Sequence, residues 1–287
     1  MESHPNLVLI EDSLWVITQP TGMPAYDLAF EDFFPCRHPF NRPPHITAVA
    51  RMGAATDYPV RYAELLAAGI QLIHTPEQYE RTSLLPHWYP VIQGLTPRSA
   101  WWLDRRPSAS EIESQFTWPV FLKGVRQTSK HQKSLSVAHS AAEYENIIKL
   151  WESDPILCWQ GMVCREYLPL RKVGESSPAV LPTAFEFRSF WWRNQCVGIG
   201  PYWSAVDYQL SPPERKAALE IGSEAACRIN VPFVVIDIAQ TQTGQWTIIE
   251  CNDAQDSGYA GVRATQMWRS IIQAERELYL HPPLALP

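Results

Sequence analysis

Two consecutive apolar runs near the C-terminal end each carry a carboxylate, and this pattern constrains the fold more than any other feature of the chain. The first run, residues 234–239, contains Asp237, and the second, residues 246–250, ends at Glu250. The turn-forming pair Thr243-Gly244 lies between them, so we expect an antiparallel β-hairpin. A loop of two or four residues centred on that pair places Asp237 directly across from Glu250, whereas an odd loop shifts the register by one residue.

Two opposed carboxylates need a source of positive charge, because like charges directly across an antiparallel pair destabilise a sheet. Asn252 lies two residues beyond Glu250, on the same side of an extended strand, and adds an amide oxygen. Taken singly, Asp237 is explained by pairing with an arginine, and Glu250 by the exit of its strand into solvent. The three residues together favour a metal. We therefore predict that Asp237, Glu250 and Asn252 bind Mg²⁺, with Mn²⁺ as an alternative ion.

Composition narrows the class of protein. The chain has 287 residues, of which 46% are apolar and 19% charged, enough for two domains with well-formed cores. A net charge of −6 disfavours a protein whose whole surface binds nucleic acid, but it leaves a local basic channel open. The six cysteines form no C-x-x-C pair, the N-terminus does not resemble a signal peptide, and no apolar run is long enough for a bilayer. We expect a cytoplasmic protein with no membrane partner.

The first hundred residues predict a small α/β domain. Residues 57–85 alternate between helix, strand and helix, whereas residues 21–50, rich in Pro, Phe and His, are expected to be irregular. The polar, proline-flanked residues 97–110 mark a boundary. We predict three units: residues 1–100, residues 101–165 and residues 166–287.

Helix starts and one turn can also be predicted in the remainder. Two S-x-x-E capping boxes, Ser140 with Glu143 and Ser211 with Glu214, predict the beginnings of two helices. Residues 193–195 are expected to join two further strands.

Basic residues follow the strand that ends at Lys123. The loop after it carries four potential cations: Arg126, Lys130, His131 and Lys133. Such a cluster is usually a solvated loop, but strands on both sides indicate a hairpin tip that could close over a ligand. Arg165-Glu166 and Glu186/Arg188 are charges inside apolar runs. Either each arginine pairs with its neighbouring glutamate, or it binds a phosphate or carboxylate in two-point fashion.

From about residue 100 to the end, the chain resembles the ATP-grasp superfamily. The resemblance lies in five segments that occur in the order expected for that superfamily: "PVFLKG", "VCREYL", "EFRSF", "VVIDIA" and "IIECNDAQDSG". The resemblance implies an α/β (α+β) ATP-grasp fold preceded by a small α/β domain. It implies that residues 101–165 form the small lid subdomain and residues 166–287 the large subdomain. The resemblance also implies roles for individual residues. Lys123 would bind the ATP phosphates on the adenine side, with Lys130 or Lys133 as the cation of the lid, and Glu166 and Leu168 would bind adenine and ribose. Arg188 would face the transferred phosphate, and the Mg²⁺ ligands would be Asp237, Glu250 and Asn252.

The lid departs from the usual ATP-grasp pattern. Many relatives have a glycine-rich lid whose backbone N–H groups bind phosphate, whereas here only Gly124 remains and the loop is basic. Together with Lys123, Arg165 and Arg188 as catalytic candidates, this resembles a clade named for two arginines and a lysine, whose members are predicted to act in RNA repair.

The leading functional hypothesis is an ATP-dependent ligase that activates a substrate carboxylate as an acyl phosphate for capture by an amine. The substrate would be a small molecule or peptide, in a pocket lined by Asp253, Gln255, Asp256 and Ser257. The first alternative is an RNA ligase or RNA-end repair enzyme, and the second is a nucleotide-binding regulator without catalysis. For a ligase, we expect Glu250→Gln to abolish turnover at little cost in stability, because it relieves the crowding of negative charge.

Overall fold

The computed structural model describes residues 7–18, 28–37, 43–126, 133–174 and 182–280. The strands are β1 Leu7–Ile10, β2 Leu14–Ile17, β3 Cys36–Arg37, β4 Ile46–Ala50, β5 Ile70–Leu72, β6 Ser99–Trp102, β7 Val120–Gly124, β8 Val137–Ala138, β9 Met162–Glu166, β10 Glu186–Trp192, β11 Gln195–Pro201, β12 Phe233–Gln240 and β13 Trp246–Asp253. The helices are α1 Tyr58–Ala67, α2 Pro76–Ser83, α3 Leu85–Trp88, α4 Ala109–Glu113, α5 Ala141–Trp151, α6 Pro212–Ile229 and α7 Ala264–Leu280, with 3-10 turns at Phe30–Asp32 and Lys133–Leu135.

The N-terminal sheet has the strand order β3-β1-β2-β4-β5, in which β2, β4 and β5 run parallel. The expected helix, strand and helix of residues 57–85 are confirmed as α1, β5 and α2. Thr75 caps α2, with its hydroxyl accepting from the Gln78 N–H. The expectation of irregular structure in residues 21–50 is wrong for β4, a mostly buried strand whose run begins just after two prolines and therefore shows no alternation. Residues 21–27 and 38–42 of that segment lie outside the described residues.

The small sheet, ordered β6-β9-β7-β8, is antiparallel throughout, and α5 packs against it. Tyr144, Ile147 and Trp151 of α5 are buried in its core. Only half of the predicted capping box forms: the Ser140 hydroxyl accepts from the Glu143 N–H at 3.3 Å. The Glu143 carboxylate instead accepts from the His139 N–H, so the capping interaction reaches one residue further back than expected.

The central sheet, ordered β11-β10-β12-β13, is also antiparallel and has a separate core on each face. On one face, Phe190, Phe233 and Trp268 pack with residues of the N-terminal sheet. On the other, Ile236 and Ile238 of β12 pack with α6 and with residues near α3. The predicted box of Ser211 with Glu214 opens α6, and the expected turn between β10 and β11 forms at residues 193–194.

The hairpin of β12 and β13 has the predicted register at its acids: Asp237 pairs with Glu250. The loop is nevertheless odd, because residues 241–245 separate the two strands. With this loop, Ile238 pairs with Ile248, which is one residue away from the register predicted for an even loop. Ile249 is then an extra residue at a β-bulge, and the bulge restores the predicted register for Asp237. Both acids therefore lie on one face of the central sheet. Among the described residues, no helix is both long enough and apolar enough to cross a membrane.

Candidate active site

Four charged side chains from four strands meet where the central sheet faces the small sheet. Arg188 of β10 pairs across the sheet with Asp237 of β12. Its Nε and Nη2 atoms donate to the two Asp237 carboxylate oxygens at 2.9 and 2.8 Å. Asp237 is fully buried, and burial by itself would lower the pKa of Arg188, but the Asp237 carboxylate, with smaller contributions from Tyr202 and Glu250, raises that pKa above its usual value. The guanidinium is therefore a permanent cation at this point.

The second ion pair joins the two sheets. Lys123 of β7 contacts Glu250 of β13 through its Nζ atom, and both side chains are largely buried. Because the partners come from different sheets, the pair is one of the contacts between the small sheet and the central sheet, together with the hydrogen bond from Arg165 to the Ile249 carbonyl. Removing either charge would leave the other in a poorly hydrated position.

The two ion pairs explain how the sheet accommodates the directly opposed carboxylates of Asp237 and Glu250. The simpler explanation for Asp237, pairing with an arginine, is confirmed, whereas that for Glu250, exit into solvent, is wrong because Lys123 covers it. The repulsion is thus offset by side-chain cations. No group of three or more His, Cys, Asp or Glu in the described parts of the chain is arranged to hold a metal ion.

The oxygens present still suit magnesium chemically. Asp237, Glu250 and the half-buried Asn252 offer two carboxylates and an amide, and Mg²⁺ usually takes one or two protein carboxylates and completes its shell with water and phosphate. The three residues fit an ion that arrives with a phosphate ligand, and their role as metal ligands stays a prediction.

A cavity of about 300 Å³ is lined by residues of the four strands β7, β9, β10 and β13, and we call it the hinge cavity. Its walls include both hinge residues of the prediction together with apolar side chains and one further acid: Phe121, Glu166, Leu168, Ala184, Glu186 and Ile249. Sequence reasoning considered Glu186 only as a partner for Arg188 and missed its place in the cavity wall, where it is buried and accepts a hydrogen bond from Trp203 Nε1 at 3.2 Å. It lies two residues before Arg188 on the same strand, and that spacing was the available signal.

Arg165 also borders the hinge cavity, but its donors are used within the protein. Its guanidinium donates to the Ser99 and Thr96 hydroxyls and, at 2.6 Å, to the Ile249 carbonyl. Burial lowers the pKa of Arg165 to about 10. Neither Arg165 nor Arg188 pairs with its neighbouring glutamate, and the predicted catalytic role of Arg165 stays a prediction.

A family model describing an ATP-grasp domain, family 3 of the clade named for two arginines and a lysine, matches residues 105–271, more than half of the chain. The chain belongs to this ATP-grasp family. The predicted ATP-grasp fold is thereby confirmed, and the sequence has no significant match among curated proteins.

Solved structures of ATP-grasp proteins share the fold at low identity. The VanG D-Ala:D-Ser ligase from Enterococcus faecalis superposes with a TM-score of 0.56 and 15% identity, covering 81% of this chain and 72% of that one. The D-alanine–D-alanine ligase from Bacillus anthracis, complexed with ATP, gives a TM-score of 0.56 and 10% identity, covering 79% and 77%. The ATP-grasp ligase PsnB, complexed with a minimal precursor, Mg and ADP, gives 0.51 and 13%, covering 82% and 79%.

In this ATP-grasp protein, three of the predicted substrate residues, at the end of β13 and just after it, are hydrogen-bonded within the protein. Asp253 accepts from His74 Nδ1 at 2.6 Å, and Gln255 accepts from the Ala50 N–H through its side-chain oxygen. The Ser257 hydroxyl donates to the Asp253 carbonyl. All three are buried and hold the loop in place, so their contact with a substrate stays a prediction.

Two further anchors position that loop. Arg51, which directly follows β4, donates to the carbonyls of Ala254, Gln255 and Ser257, and Arg188 Nη1 donates to the Gly258 carbonyl at 2.9 Å. Of the lid candidates, Lys130 lies outside the described residues, and Lys133 begins a 3-10 turn with an undescribed side chain.

Proposed function

We propose that the protein is an ATP- and Mg²⁺-dependent ligase that activates a carboxylate as an acyl phosphate and passes the acyl group to an amine. The observation that carries this proposal is that Lys123 and Arg188, each with its own carboxylate partner, lie two residues beyond Phe121 and Glu186, which line the hinge cavity on the same two strands. A phosphate chain needs fixed cations, and a nucleoside needs an apolar recess, and here the two adjoin.

The hinge cavity suits the nucleoside part of ATP. Phe121, Leu168 and Ile249 supply apolar walls for a base, and the backbone of residues 167–168, which also line the cavity, would bind the edge of that base. The Glu186 carboxylate lies on the same wall and would accept hydrogen bonds from ribose hydroxyls. A volume of about 300 Å³ is at the lower end of the range for small-molecule sites.

The ion-pair cluster suits the triphosphate. Lys123 would contact the phosphates nearest the nucleoside, and Arg188 would face the transferred phosphate. Asp237, Glu250 and Asn252 would hold Mg²⁺, which supplies neutralisation of phosphate charge when it is bound. The ligase complexed with Mg and ADP, PsnB, supports this pairing of fold and ligands.

The reaction needs no covalent bond to the protein. An oxygen of the substrate carboxylate attacks the γ-phosphorus, the bond to the β-phosphate oxygen breaks, and ADP leaves. The amine then attacks the acyl carbon, loses a proton and expels inorganic phosphate. The protein's residues position the reactants and stabilise the negative charge that develops.

The second candidate is RNA end joining. It is favoured by membership of the clade named for two arginines and a lysine, because the resemblance to that clade implies RNA repair. The net charge of −6 disfavours a protein that binds nucleic acid over much of its surface.

Product analysis separates the two candidates. ATP labelled at the α- or γ-phosphate is incubated with the protein, Mg²⁺ and either mixed amino acids and peptides or nicked RNA. The ligase proposal predicts ADP and inorganic phosphate that depend on the amine-containing mixture. AMP with pyrophosphate, formed only with RNA, would establish the second candidate in its place.

A further inference from the structure

The loop after β13 contains one acid, Asp256, that uses only one of its two carboxylate oxygens in hydrogen bonds with the described residues. Asp256 is half-buried, and its Oδ2 atom accepts a hydrogen bond from the Tyr79 hydroxyl at 2.7 Å. Its other oxygen, Oδ1, accepts no hydrogen bond from any described residue, and no described cation forms an ion pair with it. This distinguishes Asp256 from its neighbours Asp253, Gln255 and Ser257, whose polar side-chain groups are bonded within the protein.

Tyr79 holds this carboxylate in a rigid setting. Its ring stacks on Tyr58 with centroids 4.0 Å apart and planes within 4° of parallel. Its hydroxyl also contacts the backbone N–H and carbonyl of Ala55, at 3.0 and 2.9 Å. The position of Oδ2 is therefore determined by the N-terminal domain, and Oδ1 is left as the available acceptor.

The electrostatic surroundings leave Asp256 short of positive charge. Burial first, and then repulsion from Asp253, raise the pKa of Asp256 well above its usual value. Arg51 and Arg126 oppose this rise, but Arg51 is bound to three carbonyls and Arg126 lies over the Tyr79 ring, 5.7 Å from its centroid. A bound cation would supply the missing counter-charge.

The loop that carries Asp256 begins and ends beside the proposed reaction centre. Four residues before it, Asn252 ends the row of candidate magnesium ligands, and two residues after it the Gly258 carbonyl is bound by Arg188. In the proposed ligase, the amine must reach an acyl phosphate formed beside Arg188. An acid on this short, doubly anchored loop is well placed to hold that amine.

We propose that Asp256 binds the primary ammonium group of the acceptor substrate, with Tyr79 orienting the carboxylate. This inference rests on the proposed ligase function, and it makes Asp256 a specificity-determining residue that selects amines over neutral nucleophiles.

The test compares two small probes that differ only in the group concerned. Glycinamide carries a primary ammonium at pH 7, and glycolamide has a hydroxyl in its place. Each is titrated, by protein-observed NMR, into the full chain with Mg²⁺ and a non-hydrolysable ATP analogue. Glycinamide should bind at least about tenfold more tightly than glycolamide, because a charge-assisted hydrogen bond to a partly buried carboxylate is worth at least that factor.

Two variants locate the preference. Asp256→Asn keeps an oxygen for Tyr79 but removes the charge, and it should abolish the preference for glycinamide while leaving the affinity for the ATP analogue unchanged. Asp104→Asn, an identical change of charge at an exposed position of the small sheet's connecting loop, should keep the preference.

The outcomes are distinct. Equal or absent binding of the two probes by the wild-type protein, or a preference that survives in Asp256→Asn, would overturn the assignment without any variant having to fold. Failure of the ATP analogue to bind would instead count against the ligase function, because that titration does not involve Asp256.

Discussion

Asp237 lies directly opposite Glu250 on the neighbouring strand, yet each carboxylate is bound by a different cation, Arg188 in one case and Lys123 in the other. The cluster therefore contains two positive and two negative side chains, and its net charge is zero. A phosphate chain and its metal ion would bind among these four charges. This arrangement has consequences for both stability and turnover.

The Lys123–Glu250 contact changes what we expect of Glu250→Gln. Turnover should fall at least about 100-fold, because one of the proposed Mg²⁺ ligands loses its negative charge. Stability should also fall, by about 1–3 kcal/mol, because buried Lys123 loses this counter-charge. The cost therefore exceeds the small one expected from the sequence. Urea unfolding and an ADP-release assay measure the two effects.

A double variant provides the control. Lys123→Met combined with Glu250→Gln removes both charges and should recover part of the lost stability without recovering activity. If the double variant were as unstable as the sum of the single ones, the ion pair would not be the cause of the stability loss.

The local sequence pattern was sufficient to predict the hairpin of β12 and β13, but not its loop length or the strands that pair with it. The facing acids were predicted from an even loop, whereas the chain uses an odd loop and a bulge at Ile249, a compensation that turn residues alone do not encode. Arg188 pairs with Asp237 across a connection that includes the whole of α6, and hydrophobic periodicity does not say which strands become neighbours.

The loop after β13 also depends on contacts that the local sequence pattern cannot predict, because its partners lie far away in the chain. Gln255 bonds to Ala50, which is 205 residues away in the chain. A polar cluster after a strand predicts a loop near a ligand, but only the tertiary structure distinguishes the members that bond to residues 50 and 74 from Asp256, whose Oδ1 atom has no hydrogen-bond partner among the described residues.

Filling the hinge cavity should prevent nucleotide binding without unfolding the protein. Ala184 lies in its wall, and Ala184→Leu would project an isobutyl group into the space proposed for the nucleoside. We expect at least about tenfold weaker ATP binding, with thermal stability unchanged or raised because the added group fills an existing cavity. Ala142→Leu, on an exposed face of α5, is the matched control and should leave ATP affinity unaltered. Normal ATP binding by Ala184→Leu would place the nucleoside elsewhere.

Acid should remove one identifiable contribution to stability. The Ser211 hydroxyl, then Arg171 and the Ser211 N–H, lower the pKa of Glu214 to about 2. A carboxyl whose pKa is lowered by folding stabilises the protein above its unfolded value, near 4.5, and loses that effect as the pH falls towards 2. Glu214→Gln should therefore cost about 0.5–1 kcal/mol at pH 7 and progressively less below pH 4.5.

Denaturant titrations between pH 7 and pH 3 follow that difference. Glu220→Gln, at an exposed position of the same helix, serves as the comparison and should show little change with the cap intact. A cost for Glu214→Gln that stays constant down to pH 3 would mean that the cap does not depend on ionisation.

Calorimetric titration of ATP, with and without saturating Mg²⁺, tests the central claim most directly, because it asks whether the Lys123, Arg188, Asp237 and Glu250 cluster is a phosphate and metal site. We predict a single site per chain whose affinity for ATP rises at least about tenfold with Mg²⁺, and a loss of that rise in Glu250→Gln. Absence of ATP binding in saturating Mg²⁺, or an affinity that the metal leaves unchanged, would contradict the account.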